Sequence, residues 1–310
     1  MRQTIAHSPR VAHFSFDSVD VTALTWGDPR DPILIALHGF PDSAWTWEAL
    51  APVLAAEGRF VVAPFLRGYA PSSLARDDDY SFASLVGDVL DVYRAVGADN
   101  RTVLVGHDWG GAIVSATSSC HPELFARTVL IAIPPLAAVV GLFTRRGPLR
   151  PRVTALARQL PRSWYMAVVS IPWLPERIGA ALPRLLWQLW APEGGVDAYR
   201  RRGVAALATC DRRRAAYSYY RAVWNPWYRR ARGFRGRQRL ALRAMRNPTL
   251  YLQGRDDTCG LERTGAQALD FLPPGSARIV VERAGHFAHL DRPDVIARRI
   301  LEFIRSGEKV

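Results

Sequence analysis

The stretch LVGHDWGGAI, residues 104–113, decides how the chain is read. The apolar run TVLVG (102–106) leads into it and the helix-forming WGGAIVSATSS follows from Trp109. Between them, Gly106-x-Asp108-x-Gly110-Gly111 supplies small residues on both sides of one large polar one. Such spacing lets a strand turn sharply into a helix and projects the apical side chain into the cleft at the carboxyl ends of the strands. The apical residue is Asp108. An aspartate also makes a good helix N-cap, bonding the first free N–H groups. A cap alone needs no flanking glycines, so the spacing favours a catalytic carboxylate.

Working outward, strand-like runs alternate with helical stretches: ILIAL (33–37), FVVAPF (60–65), TVLVG (102–106), TVLIAI (128–133), TLYLQG (249–254) and ARIVVE (277–282). Continuous apolar strands between helices predict a mostly parallel, doubly wound α/β sheet covered on both faces. The helix predicted over 82–97 carries one stripe, Leu85, Val89, Val92 and Val96, and stops at Gly97. The alternation breaks after Pro134. From there to about Pro248 the text is helical and aromatic, with six of the ten Trp and six of the ten Tyr, and then strands resume. The expected organisation is an α/β core over 1–134, a helical insertion or lid over 135–245, and the second part of the core over 246–310.

Composition narrows the class. A chain of 310 residues, 49% hydrophobic, can bury a full core. It has no apolar run of about 18 residues, and MRQTIAHSPRVAHF lacks the apolar stretch of a signal peptide, so a cytoplasmic protein is expected. Cys120, Cys210 and Cys259 are widely spaced and indicate neither a disulfide framework nor a zinc site. The net charge of +13 is uneven: residues 135–245 hold 22 Arg and no Lys against four acids, or +18, leaving −5 elsewhere. Such a segment suits an anionic membrane face or nucleic acid. The alternative is compositional habit, because Lys309 is the only lysine.

Two further elements converge on the elbow. His38-Gly39-Phe40-Pro41 lies after a strand and before a helix, a turn able to aim the Phe40 N–H into the same cleft beside the N–H of Trp109. Two such donors make an oxyanion hole. After the last two strands, GRDDTCG offers Asp256 and Asp257, and RAGHFAHLDRP offers His286 and His289. Nucleophile, acid and base thus occur in that order.

These motifs resemble the α/β-hydrolase superfamily over nearly the whole chain, and the Asp elbow resembles its epoxide hydrolase and haloalkane dehalogenase branch. The resemblance implies an α/β-hydrolase fold, with Asp108 as nucleophile, His286 as base and Asp257 as its partner. Asp256 and His289 are the rival positions. A carboxylate can displace a leaving group from saturated carbon and form an ester on its own acyl group. The insertion contains RSWYMAVVSIPWLPE and AYSYYRAVWNP, similar to the lid segments in which epoxide hydrolases place two tyrosines on the epoxide oxygen. By motif position these are Tyr165 and Tyr220, with Tyr217, Tyr219 and Tyr228 as competitors. A dehalogenase would pair Trp109 with a second donor, commonly Asn where this chain has Phe40, or another lid Trp. The expectation is a cofactor-independent epoxide hydrolase without metal, acting on small lipophilic epoxides. Nucleic acid is not an expected partner. Contact of RAVWNPWYRRARGFRGRQR (221–239) with an anionic membrane is a further expectation. The alternatives are a dehalogenase on the same nucleophile and a basic-lid binding module on a hydrolase scaffold.

Overall fold

The computed structural model describes residues 8–144, 154, 157–191, 195–225, 227–228 and 242–307. Eight strands form one sheet in the order β1-β2-β4-β3-β5-β6-β7-β8. They are β1 (Arg10–Ser15), β2 (Asp20–Trp26), β3 (Ile33–Leu37), β4 (Phe60–Pro64), β5 (Val103–His107), β6 (Arg127–Ile131), β7 (Thr249–Gly254) and β8 (Ala277–Val281). The six strands expected from apolar runs are β3 to β8, and all their pairings with one another are parallel. The N-terminal pair is additional: β1 and β2 form a hairpin, and β2 runs antiparallel to β4.

Helices cover both faces, as continuous apolar strands require. They are α1 (Ala51–Ala56), α2 (Phe82–Ala95), α3 (Trp109–Cys120), α4 (Leu136–Thr144), α5 (Trp164–Ser170), α6 (Leu174–Arg177), α7 (Ala181–Trp190), α8 (Asp197–Ala206), α9 (Cys210–Trp224), α10 (Ala288–Asp291) and α11 (Pro293–Gly307). Because successive strand side chains alternate, Ile35, Leu37 and Leu104 join the core under α2 and α3, whereas Leu34, Ala36 and Val105 join the one under α1 and α11. Each fully buried aliphatic side chain contributes about 1.5–3 kcal/mol in transfer from water. The stripe on α2 buries Leu85, Val89 and Val92 as expected, and Val96 caps its carboxyl end before Gly97, at φ 68°.

The described helices between β6 and β7, α4 to α9, include those that close over the carboxyl ends of the strands. Trp187 of α7 stacks on Phe287, ring centroids 3.9 Å apart, and its Nε1–H donates to the Pro41 carbonyl at 3.1 Å. Within the layer, Arg221 of α9 holds Glu176 of α6 at 2.6 Å, each side chain 4% exposed. The expected membrane-facing run 221–239 lies beyond residue 228 outside the described residues. No described helix is long and apolar enough to cross a membrane.

Candidate active site

The glycines of the elbow are fixed by close approach. A Cβ on Gly106 would stand 2.3 Å from the Gly110 backbone, one on Gly110 2.1 Å from the Leu37 oxygen, and one on Gly111 2.4 Å from Ile133. Only without them can α3 start directly against β3 and β5. Asp108 then sits at φ 50°, ψ −118°, a region that costs a non-glycine residue roughly 1–3 kcal/mol. Its N–H donates to the Ile131 carbonyl at 3.1 Å and its carbonyl accepts from Ala112 at 3.0 Å, which holds the strained turn. Its side chain makes no capping bond to α3, so the cap reading of Asp108 does not describe the structure.

The side chain of Asp108 points instead to the turn after β3. The Phe40 N–H donates to Oδ1 at 2.8 Å. Gly39 makes this approach possible, since a Cβ there would lie 2.4 Å from the Asp108 Cβ. His38 anchors the turn: its Nε2 accepts from Leu66 N–H at 3.0 Å, so Nδ1 carries the hydrogen and donates to the Gly39 carbonyl at 2.9 Å. Burial keeps His38 neutral, its pKa pushed down to about 4. Burial likewise pushes the Asp108 carboxyl up, while the charge of His286 and the Phe40 and Trp109 N–H groups pull against it.

The third element arrives from the ends of β7 and β8. His286 is buried, its Nδ1 3.1 Å from Asp257 Oδ2 and its Nε2 3.7 Å from Asp108 Oδ2. Asp257 is pinned by the Cys259 and Gly260 N–H groups on Oδ1 at 2.7 and 2.8 Å, and by Gln253 Nε2 on Oδ2 at 2.8 Å. With Asp257 as acceptor, Nδ1 of His286 is the protonated nitrogen and Nε2 faces Asp108 with a lone pair. Burial alone would lower the His286 pKa, but the carboxylates of Asp257, Asp108 and Asp42 outweigh it and the net shift is upward. The rivals are placed elsewhere. Asp256 is exposed, and His289 bonds Thr46 Oγ1 at 2.5 Å and packs on Trp47.

Above Asp108 stand the two tyrosines. Tyr165 of α5 and Tyr220 of α9 are buried, with ring centroids 5.8 Å apart, and Tyr220 lies edge-on to Phe40 and Trp109 at 5.6 and 4.9 Å. Burial raises both phenols well above their ordinary range, and the Asp108 charge adds to each. Tyr219 instead donates to the Arg67 carbonyl at 2.8 Å, and the Tyr217 ring lies edge-on to Phe40 at 5.9 Å. Tyr228 donates its backbone N–H to Asn225 Oδ1 at 3.0 Å. Geometry thus brings Asp108, His286, Asp257, Phe40, Trp109, Tyr165 and Tyr220 together. Two neighbours carried no sequence signal: Tyr69, buried between His38 and Tyr219, and Cys259, whose Sγ is 3.7 Å from the Tyr165 hydroxyl.

The comparisons agree with this fold. A sequence model of the alpha/beta hydrolase fold matches residues 32–151. The chain is similar to epoxide hydrolase A of Mycobacterium tuberculosis, 26% identical, over 91% of this chain and 93% of that protein. It is similar to epoxide hydrolase 1 of Caenorhabditis elegans, 25% identical, over 90% of this chain and 66% of that protein, just under two thirds of its length. The crystal structure of epoxide hydrolase A from Mycobacterium thermoresistibile matches with a TM-score of 0.73 at 21% identity, covering 96% of this chain and 98% of that one. The fold of the chain is that of the alpha/beta hydrolases. Both the mycobacterial and the nematode relative are named epoxide hydrolases.

Proposed function

We propose that the protein is an epoxide hydrolase that opens an epoxide to a vicinal diol through an ester on Asp108. The observation that carries this is the carboxylate on the elbow with two tyrosines above it, both within electrostatic reach of Asp108. Oδ1 is occupied by the Phe40 N–H, so Oδ2 is the attacking oxygen. It forms a bond to an epoxide carbon as the carbon–oxygen bond of the ring breaks, and Tyr165 or Tyr220 gives the departing alkoxide its proton. Water then attacks the ester carbonyl carbon of Asp108 while His286 Nε2 takes its proton and Asp257 steadies the imidazolium. Negative charge collects on Oδ1, where the Phe40 and Trp109 N–H groups stabilise it. Collapse releases the diol and the Asp108 carboxylate, and the proton on His286 returns through solvent to the phenolate. The residues balance the cycle without a cofactor.

The aromatic walls and raised phenols suit a small lipophilic epoxide. A dehalogenase reading would place both phenols beside a leaving halide, yet each is better matched to an oxygen that needs a proton. A panel of epoxides and haloalkanes scored for diol and for halide tests this: diol from epoxides with no halide release is expected, and halide release without diol overturns it.

For location and partners, the three free cysteines agree with a cytoplasmic protein, and the lid agrees with peripheral contact with anionic lipid. Trp173, Trp224 and Trp227 are 61%, 48% and 79% exposed on a segment of net charge +18, a mixture of rings and cations that suits a membrane interface. Co-sedimentation with anionic but not neutral vesicles, lost at high salt, is expected. Equal or no binding to both overturns it.

A further inference from the structure

Behind the triad, the buried side chains of Asp42, His107 and His289 come together. Asp42 follows Pro41 in the turn after β3, His107 is the last residue of β5, and His289 lies in α10. All three have no exposed surface, and a donor atom of each lies within 4.8 Å of the others. Asp42 Oδ2, His107 Nδ1 and His289 Nδ1 make no hydrogen bond.

Each side chain is held at one atom. His107 Nε2 is 3.0 Å from the His286 carbonyl, which only accepts, so Nε2 carries the hydrogen and Nδ1 is bare. His289 Nε2 is held 2.5 Å from Thr46 Oγ1. Asp42 Oδ1 accepts the Ser43 N–H at 2.7 Å. Asp42 Oδ2, His107 Nδ1 and His289 Nδ1 are thus buried polar atoms without a partner, and uncompensated burial of such groups is costly.

A cation would satisfy those atoms. Two imidazoles and a carboxylate are a donor set for borderline divalent ions, and a ring nitrogen tethered to a carbonyl or hydroxyl is the support that metal-binding histidines ordinarily have. We propose that Asp42, His107 and His289 bind one divalent transition-metal ion of the zinc class, and that the loaded protein hydrolyses its ester intermediate poorly. Bonds of about 2.0–2.2 Å draw the three donors inward, so the loaded site is tighter. Inhibition follows from position. The His107 ring lies 4.8 Å from that of His286, centroid to centroid, and is bonded to its backbone. A dication on the far side of His107 opposes the imidazolium that forms when His286 takes a proton from water.

Equilibrium dialysis of the chelator-treated full chain against zinc chloride, and separately cobalt(II) chloride, tests the site without substrate. One equivalent retained after removal of free metal is expected, with a visible cobalt(II) spectrum. His289→Gln and Asp42→Asn should each retain under a tenth as much, while His286→Gln retains the full equivalent. Circular dichroism checks that each variant folds; should one fail, the other carries the comparison. No retention by the unsubstituted protein overturns the proposal. So does equal retention by whichever of His289→Gln and Asp42→Asn folds, or loss in a folded His286→Gln, which would put the ion on the triad.

Discussion

His286 Nε2 stands 3.7 Å from Asp108 Oδ2, while the other oxygen of that carboxylate is taken by the Phe40 N–H. The spacing is wider than a hydrogen bond, so no proton is shared between them. The two oxygens of Asp108 are thereby unequal: one accepts the Phe40 N–H and the other faces His286.

The two phenols should act on ring opening alone. Tyr165→Phe or Tyr220→Phe should slow alkylation of Asp108 by about 10- to 1000-fold, the effect of one positioned proton donor. Breakdown of ester already formed should be unchanged. Stopped-flow single turnovers that resolve formation from decay will show this. Wild-type alkylation rates in both variants would mean that other groups protonate the leaving oxygen.

The charge on Asp108 makes a pH signature. In the free protein, anionic Asp257, Asp108 and Asp42 hold the His286 pKa above its ordinary 6.5. Once Asp108 is an ester it is neutral, and that support is lost. Ester decay should therefore fall off in acid with an apparent pKa below the one that NMR finds for His286 in the free protein. Asp257→Asn should lower both. The same shift sets a stability term: with its folded pKa raised, His286 stabilises the protein fully below pH 6.5, and the contribution is lost as pH rises through the folded value.

The lid depends on a buried ion pair. Replacing Arg221 by Met leaves Glu176 charged and enclosed, so the protein should lose about 3–5 kcal/mol, read as a lower denaturant midpoint. Replacing both by apolar residues should recover most of it.

Much of this was legible in the sequence, because backbone geometry forces residue type at the elbow. No side chain fits at Gly106, Gly110 or Gly111, and Gly39 must clear Asp108, so these motifs are visible without coordinates. Strands β3 to β8 were legible because burial on both faces demands apolar runs. The β1–β2 hairpin was not, since β1 lies at the edge with Arg10, Val11 and His13 exposed and carries only a weak alternation. Adjacent Asp256 and Asp257 differ only in which way the chain leaves β7, which composition does not encode. Choosing Tyr220 over Tyr217 and Tyr219 needs the rotation of α9 about its axis. Tyr69, Cys259 and the Asp42–His107–His289 group are ordinary residues until the sheet brings them together.

The covalent ester on Asp108 is most directly tested by one turnover in heavy-oxygen water with protein in excess over epoxide, followed by mass analysis of the diol and of the peptide containing Asp108. The account predicts an unlabelled diol, its new oxygen taken from Oδ2, and one heavy oxygen in Asp108. Label in the first diol and none in the peptide would contradict it, because water would then have attacked the epoxide directly.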